Sequence, residues 1–156
     1  MIRILLADDE GLMLNSMKTI IATNFGDECE VFTAKTGRVA VEIAEEEKPD
    51  IALMDIHMPG LNGIEAMQKI REKNKNIQFI VITAYNKFDY AKDAISIGVF
   101  DFLSKPVSKA SIIDVLTRAI KSVEEKRKKK IDNIRIREKL ETVIPIIENG
   151  FVSNLL

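Results

Sequence analysis

Cysteine and histidine occur once each in the 156 residues, as Cys29 and His57, and tryptophan not at all. A single cysteine excludes an internal disulfide framework and suits a reducing compartment such as the cytoplasm. Cys29 falls in an apolar stretch, where it reads as a small buried hydrophobe. One histidine and no clustered thiols leave no donor set for zinc. No apolar run approaches the ~20 residues that span a bilayer, and the opening MIRILLADDE turns acidic too early for a secretory signal. With 46% apolar and 30% charged residues, the chain has the profile of a soluble globular domain with an appendage.

What is present is a repeating pattern. Five short apolar runs recur, at Ile2–Ala7, Cys29–Ala34, Ile51–Met54, Phe79–Thr83 and Val99–Ser104. Most do not alternate apolar with polar, which suits strands buried on both faces of a parallel sheet. Between them lie stripes at helical spacing: Met13, Met17, Ile20 and Ile21; Val39, Ala40, Ile43 and Ala44; Ile64, Met67 and Ile70; Phe88, Ala91, Ala94 and Ile95; Ile112, Ile113, Leu116, Ala119 and Ile120. Each reads as a core face packing on the sheet. The alternation implies an α/β fold, a five-stranded doubly wound parallel sheet with helices on both faces.

In such sheets sites form at the carboxyl ends of the strands, beside the point where the strand order reverses. The polar residues that break the pattern fall there. The first strand ends in Asp8-Asp9, the third in Asp55, the fourth in Thr83 and the fifth in Ser104-Lys105-Pro106. Three carboxylates drawn together repel one another, and a cation relieves them. Mg²⁺ takes oxygen ligands and commonly uses one or two carboxylates beside a phosphate oxygen. A carboxylate so placed can act as a nucleophile and form an acyl phosphate, with Lys105 and Thr83 offering an ammonium and a hydroxyl to phosphoryl oxygens. Pro106 restricts Lys105 to an extended backbone that aims it at the site.

The segments ADDE (7–10), MDIHMPGLNG (54–63), VITAY (81–85) and FLSKPV (102–107) stand in order on the expected elements. Together they resemble the receiver domain of two-component response regulators, of the chemotaxis-receiver type, over roughly residues 1–122. The resemblance implies a flavodoxin-like sheet and a role for each position. Asp55 would be the phosphoacceptor, served by a sensor histidine kinase. Asp9 and Asp55 would bind Mg²⁺ directly, Asp8 nearby or through water, and His57 through its backbone carbonyl. Thr83 and Lys105 would contact the phosphoryl oxygens, and Phe102 would be the switch aromatic that reports on Thr83. The side chains of His57 and Tyr85 would flank the path of water and tune the lifetime of the phosphoryl group. No enzymatic role beyond self-phosphorylation and slow autodephosphorylation is implied.

Residues 123–156 form a second region. Residues 1–120 carry 14 Lys and Arg against 18 Asp and Glu, net −4, whereas 121–156 carry 9 against 6, net +3. Neither glycine nor proline stops the fifth helix after Ser122, and it is expected to continue through Lys126–Lys130. Ile120, Val123 and Ile134, and separately Ile136, Leu140, Val143 and Ile147, keep approximate helical spacing, with Pro145 expected to kink or restart the helix. The chain closes on Phe151, Val152, Leu155 and Leu156, apolar residues that would sit more easily packed against something. The tail resembles the linker of regulators carrying an AraC-type helix-turn-helix output domain, as does YNKFDYAKDAISIG (85–98). Such a relative would dimerise on phosphorylation or through the tail and reach DNA only through an output domain outside these residues. The expectation is therefore a truncated chain or one acting through its tail. The basic run lacks interleaved aromatics, so base stacking is unsupported; it is a charged helix face or a phosphate contact.

Two other activities share this kind of sheet. A phosphatase of the haloacid-dehalogenase type would use an aspartyl phosphate but wants a second Asp two residues on, where this chain has His57. Flavin binding wants a phosphate cradle after the first strand, where ADDEG would repel a phosphate.

Overall fold

A computed structural model of the chain describes residues 1–84 and 88–148, with side chains described except at 88–91 and 141–148. Ten principal elements alternate: β1 (Ile2–Ala7), α1 (Gly11–Phe25), β2 (Cys29–Ala34), α2 (Gly37–Glu47), β3 (Ile51–Asp55), α3 (Gly63–Lys73), β4 (Gln78–Thr83), α4 (Phe88–Ile97), β5 (Asp101–Ser104) and α5 (Lys109–Glu148). The sheet has five parallel strands in the order β2-β1-β3-β4-β5. The order reverses between β1 and β3, which places the crevice at the ends of those two strands.

The apolar runs become central strands because both faces are covered. Leu5, Ala7, Ala52, Met54, Phe79 and Val81 pack in one cluster with Ala40, Ala44, Ile64, Met67, Ile70 and Ile97. The alternate strand positions Ile4, Leu6, Leu53, Ile80 and Ile82 are fully buried as well, as expected for side chains pointing to the other face. β1, β3 and β4 are buried along nearly their whole length, so polar residues are tolerated only at their ends.

Some expectations needed correction. β5 begins at Asp101 rather than Val99, because α4 ends with Gly98 at φ 81° and Val99 closes the helix end. Ile95 and Val39 lie outside the core stripes, Ile95 being 76% exposed. Each stands a helical step of ~100° from a buried neighbour, Ala94 or Ala40, and rotates out of contact. Cys29 is half-buried, not fully buried, at the start of β2.

The chain divides into two compact units, Met1–Ile120 and Lys121–Leu156. The first holds the sheet and the start of α5. In the second, α5 continues through Pro145 to Glu148, so the proline does not end the helix. Ile131, Ile134, Ile136 and Leu140 are exposed. The side chains of Phe88, Ala91, Val143, Pro145 and Ile147 lie outside the described residues, as do Phe151, Val152, Leu155 and Leu156. Among the described residues no helix is long and apolar enough to cross a membrane.

Candidate functional site

Each polar residue of the candidate site is carried to the same sheet edge by a strand that cannot bury it further along. β1 delivers Asp8, whose N–H donates to Ala34 O at 3.0 Å and whose Oδ1 accepts from Glu10 N–H at 2.9 Å. β3 delivers Asp55, whose Oδ1 accepts from His57 N–H at 3.2 Å. Both side chains are almost wholly buried, whereas Asp9 is exposed. Carboxylate oxygens of Asp8, Asp9 and Asp55 lie within 4.8 Å of one another.

β5 delivers Lys105 past Ser104, which pairs in register with Thr83. Lys105 N–H donates to Thr83 O at 2.9 Å, which locks the two strand ends together. The Lys105 ammonium lies 3.2 Å from Asp55 Oδ2 and 3.2 Å from Asp8 Oδ2. The Lys105–Pro106 peptide bond is cis. The same ammonium comes within 3.8 Å of Glu10, a carboxylate for which the sequence suggested no role although it adjoins the acidic pair. Thr83 is buried at the end of β4, and Phe102 is half-buried on β5 against the core cluster. His57 stands exposed in the loop after β3, and Tyr85 lies outside the described residues.

The loop that follows Asp55 is fixed at both ends. Ile56 and Met58 are buried, and Ile56 N–H donates to Ile82 O at 3.1 Å. Gly63 N–H donates to Ile56 O at 2.9 Å. A Cβ on Gly63 would collide with the Asp55 carbonyl, so only glycine lets α3 start this close. Gly60 takes the turn at φ 74°. Asn62 and Glu65 then form a reciprocal capping box, which satisfies the first free donors of α3.

Burial, and next the Asp8 charge, push the Asp55 carboxyl above the ordinary aspartate value, and Lys105 offsets only part of this. Burial lowers the Lys105 pKa, but the Asp55 and Asp8 carboxylates outweigh it and hold the ammonium above the ordinary lysine value. Asp8 Oδ2 is buried and, although within ion-pair range of Lys105, has no hydrogen bond of proper geometry. An all-oxygen donor set that includes a buried oxygen without a hydrogen bond suits a hard divalent cation. The residues therefore fit Mg²⁺, which the carboxylates of Asp8, Asp9 and Asp55 would hold.

Comparison with known proteins shows the family. Residues 4–117 match the family model described as the response regulator receiver domain. The chain is 38% identical over 119 residues to the chemotaxis protein CheY of Thermotoga maritima, covering 76% of this chain and 98% of that protein. It is 30% identical along its full length to the uncharacterized transcriptional regulatory protein YesN of Bacillus subtilis, of which it spans 42%. The receiver domain of AraT, a response regulator from Geobacillus stearothermophilus, superposes with a TM-score of 0.72 at 32% identity, covering 80% of this chain and 97% of that one. The chain belongs to the response regulator receiver domain family, the signalling module of two-component systems.

Proposed function

We propose that this chain is a phosphoacceptor switch: a sensor histidine kinase transfers a phosphoryl group to Asp55, and the resulting change in its assembly and output surface controls transcription in the full-length protein. The observation that carries the reading is the Lys105 ammonium 3.2 Å from both Asp8 and Asp55 at the edge where three carboxylates converge. An Asp55 carboxylate oxygen attacks the phosphorus of a phosphohistidine. The new O–P bond forms as the N–P bond breaks, and the imidazole nitrogen keeps the electron pair and takes up a proton. Bound Mg²⁺ would supply charge neutralisation for the incoming phosphoryl oxygens. Asp9 and Asp55 would hold the cation directly and Asp8 nearby or through water, with the His57 carbonyl as a further oxygen. Lys105 leaves Asp55 to pair with a phosphoryl oxygen, the Thr83 hydroxyl turns to another, and Phe102 follows the space Thr83 vacates. The His57 side chain, with Tyr85, tunes the access of water to the acyl phosphate.

The names of relatives such as YesN support a role in transcription. Residues 1–122 then act as the receiver, and 123–156 as a linker and dimerisation segment, of the kind found in regulators with an AraC-type output domain. The four exposed apolar residues of the tail support pairing there with a second copy.

Incubation with acetyl phosphate, followed by intact-mass spectrometry, tests the site. One phosphoryl group should appear with Mg²⁺, none with EDTA, and none in Asp55→Asn. A phosphoryl group retained by Asp55→Asn would sink the assignment. Dephosphorylation rates of His57→Ala and Tyr85→Ala equal to wild type would remove those two side chains from the mechanism.

A further inference from the structure

Arg71 stands in the last turn of α3, far from the acidic site, and spends its whole guanidinium on backbone carbonyls. Nε donates to Ile97 O at 3.0 Å and Nη2 to Gly98 O at 3.2 Å. Nη1 donates to Ile77 O at 2.8 Å and to Lys75 O at 3.1 Å, with Asn74 O at 3.4 Å. Its Cζ lies 4.7 Å from the centroid of the Phe79 ring. One side chain thus joins the end of α3, the turn into β4, the first part of β4 and the end of α4.

Ile97 O is one of the last α4 carbonyls, which the helix cannot satisfy alone, and Gly98 O follows directly beyond it. α4 closes in a left-handed turn at Gly98, where Gly98 N–H donates to Ile95 O at 3.1 Å and Val99 N–H to Ala94 O at 3.2 Å. That motif uses up the Ala94 and Ile95 carbonyls and leaves those at the very end. Arg71 takes Ile97 O and Gly98 O, so the fork completes the cap of a helix other than its own. Its charge also faces the negative ends of both α3 and α4. Immediately beyond, Phe100 N–H donates to Phe79 O at 2.7 Å, beneath the ring on which Arg71 lies. The connection into β5, which carries Phe102 two residues later, is held from the same point.

We propose that Arg71 is a positioning residue that pins the carboxyl end of α4 and the α4–β5 connection, making that end the fixed point about which α4 responds to the state of Asp55. The coupling part rests on the phosphoryl-switch reading above; the pinning does not. With its far end held by a planar fork on several carbonyls, α4 moves as a rod anchored at one end. A change at Thr83 is then delivered to the amino end of α4 and to Phe102 instead of being lost in a slack joint. A lysine keeps the charge but has no fork, and cannot bridge Ile97, Gly98 and Ile77 together.

The test uses the full chain with Arg71→Lys and Arg71→Gln. Amide exchange is followed by NMR, first without ligand and then with beryllofluoride and Mg²⁺. The amides of Gly98, Val99 and Phe100 should exchange at least tenfold faster in both variants, with those of Leu53 and Ile80 unchanged. The ¹⁹F signal of bound beryllofluoride should persist, while shift changes induced at Ala94–Phe100 at least double. Wild-type exchange at 98–100 would overturn the pin. So would acceleration spread equally to Leu53 and Ile80, which would make Arg71 a general stabiliser. An unaltered pattern of induced shifts would overturn the coupling. If beryllofluoride failed to bind wild type, the phosphoryl-switch reading would fall with the coupling, and the ligand-free exchange would still decide the pin.

Discussion

Asp55 shows at the scale of one residue how a reactive group is held ready. Its carboxylate is buried beside Asp8, and its pKa lies above the ordinary aspartate value. Below that ordinary value the carboxyl is neutral in both folded and unfolded chains and costs nothing. As pH rises, the unfolded chain ionises first, and stability is lost as pH climbs through the folded pKa. In EDTA, Asp55→Asn should therefore raise Tm at neutral pH, and the gain should vanish as pH falls toward the ordinary aspartate range. Lys105 retains Asp8 as a partner in that variant. A Tm difference independent of pH would refute the assigned cause. Gly63 is a second residue whose identity the site dictates. Gly63→Ala sets a Cβ against the Asp55 carbonyl, a backbone clash expected to cost about 1–3 kcal/mol. Urea unfolding at constant m measures it, and a loss under ~0.5 kcal/mol would mean the β3–α3 loop yields freely.

Among the elements, α2 ends under strain that a substitution can relieve. Lys48 is the one non-glycine residue at positive φ among those described, at φ 48° and ψ 63°, where it caps the helix through its N–H to Ala44 O. A side chain there costs roughly 1–2 kcal/mol, and glycine gives part of that back in unfolded-state entropy. Lys48→Gly should gain about 0.5–1 kcal/mol in equilibrium unfolding; a loss would show that the Lys48 side chain makes a contact worth more than the strain. The strands and helices were legible in the sequence because burial on both faces forces continuous apolar runs, and Asp8, Asp55, Thr83 and Lys105 stood out by interrupting them at one edge. Other features carried no such mark. Arg71 binds backbone carbonyls, which have no residue identity to read, with the partners at and just past the end of α4 lying 26 and 27 positions away. The start of β5 was displaced because Val99, apolar and next to a strand, is spent on closing α4. Ile95 is apolar yet exposed, and helical spacing alone does not fix where a stripe ends.

Across the whole molecule the charge is segregated, with net −4 over residues 1–120 and net +3 over residues 121–156. The tail's apolar residues, Ile131, Ile134, Ile136 and Leu140, follow directly on the basic run Lys126–Lys130. Two tails paired in parallel would set each basic run beside its copy, and that repulsion is screened over a Debye length of about 8 Å at physiological salt. A parallel tail-driven dimer should thus tighten as NaCl is raised, and replacing the four apolar residues by Ser should dissolve it. A dimer driven by Asp55 should instead require beryllofluoride and Mg²⁺ and be lost in Asp55→Asn. Molar mass by light scattering, with and without beryllofluoride at low and physiological salt, separates the two. A dimer present throughout that weakens with salt would rule out parallel tails and favour an antiparallel arrangement, in which Lys130 of one copy approaches the acidic Glu138 of the other and opposite charges, not like ones, meet across the seam.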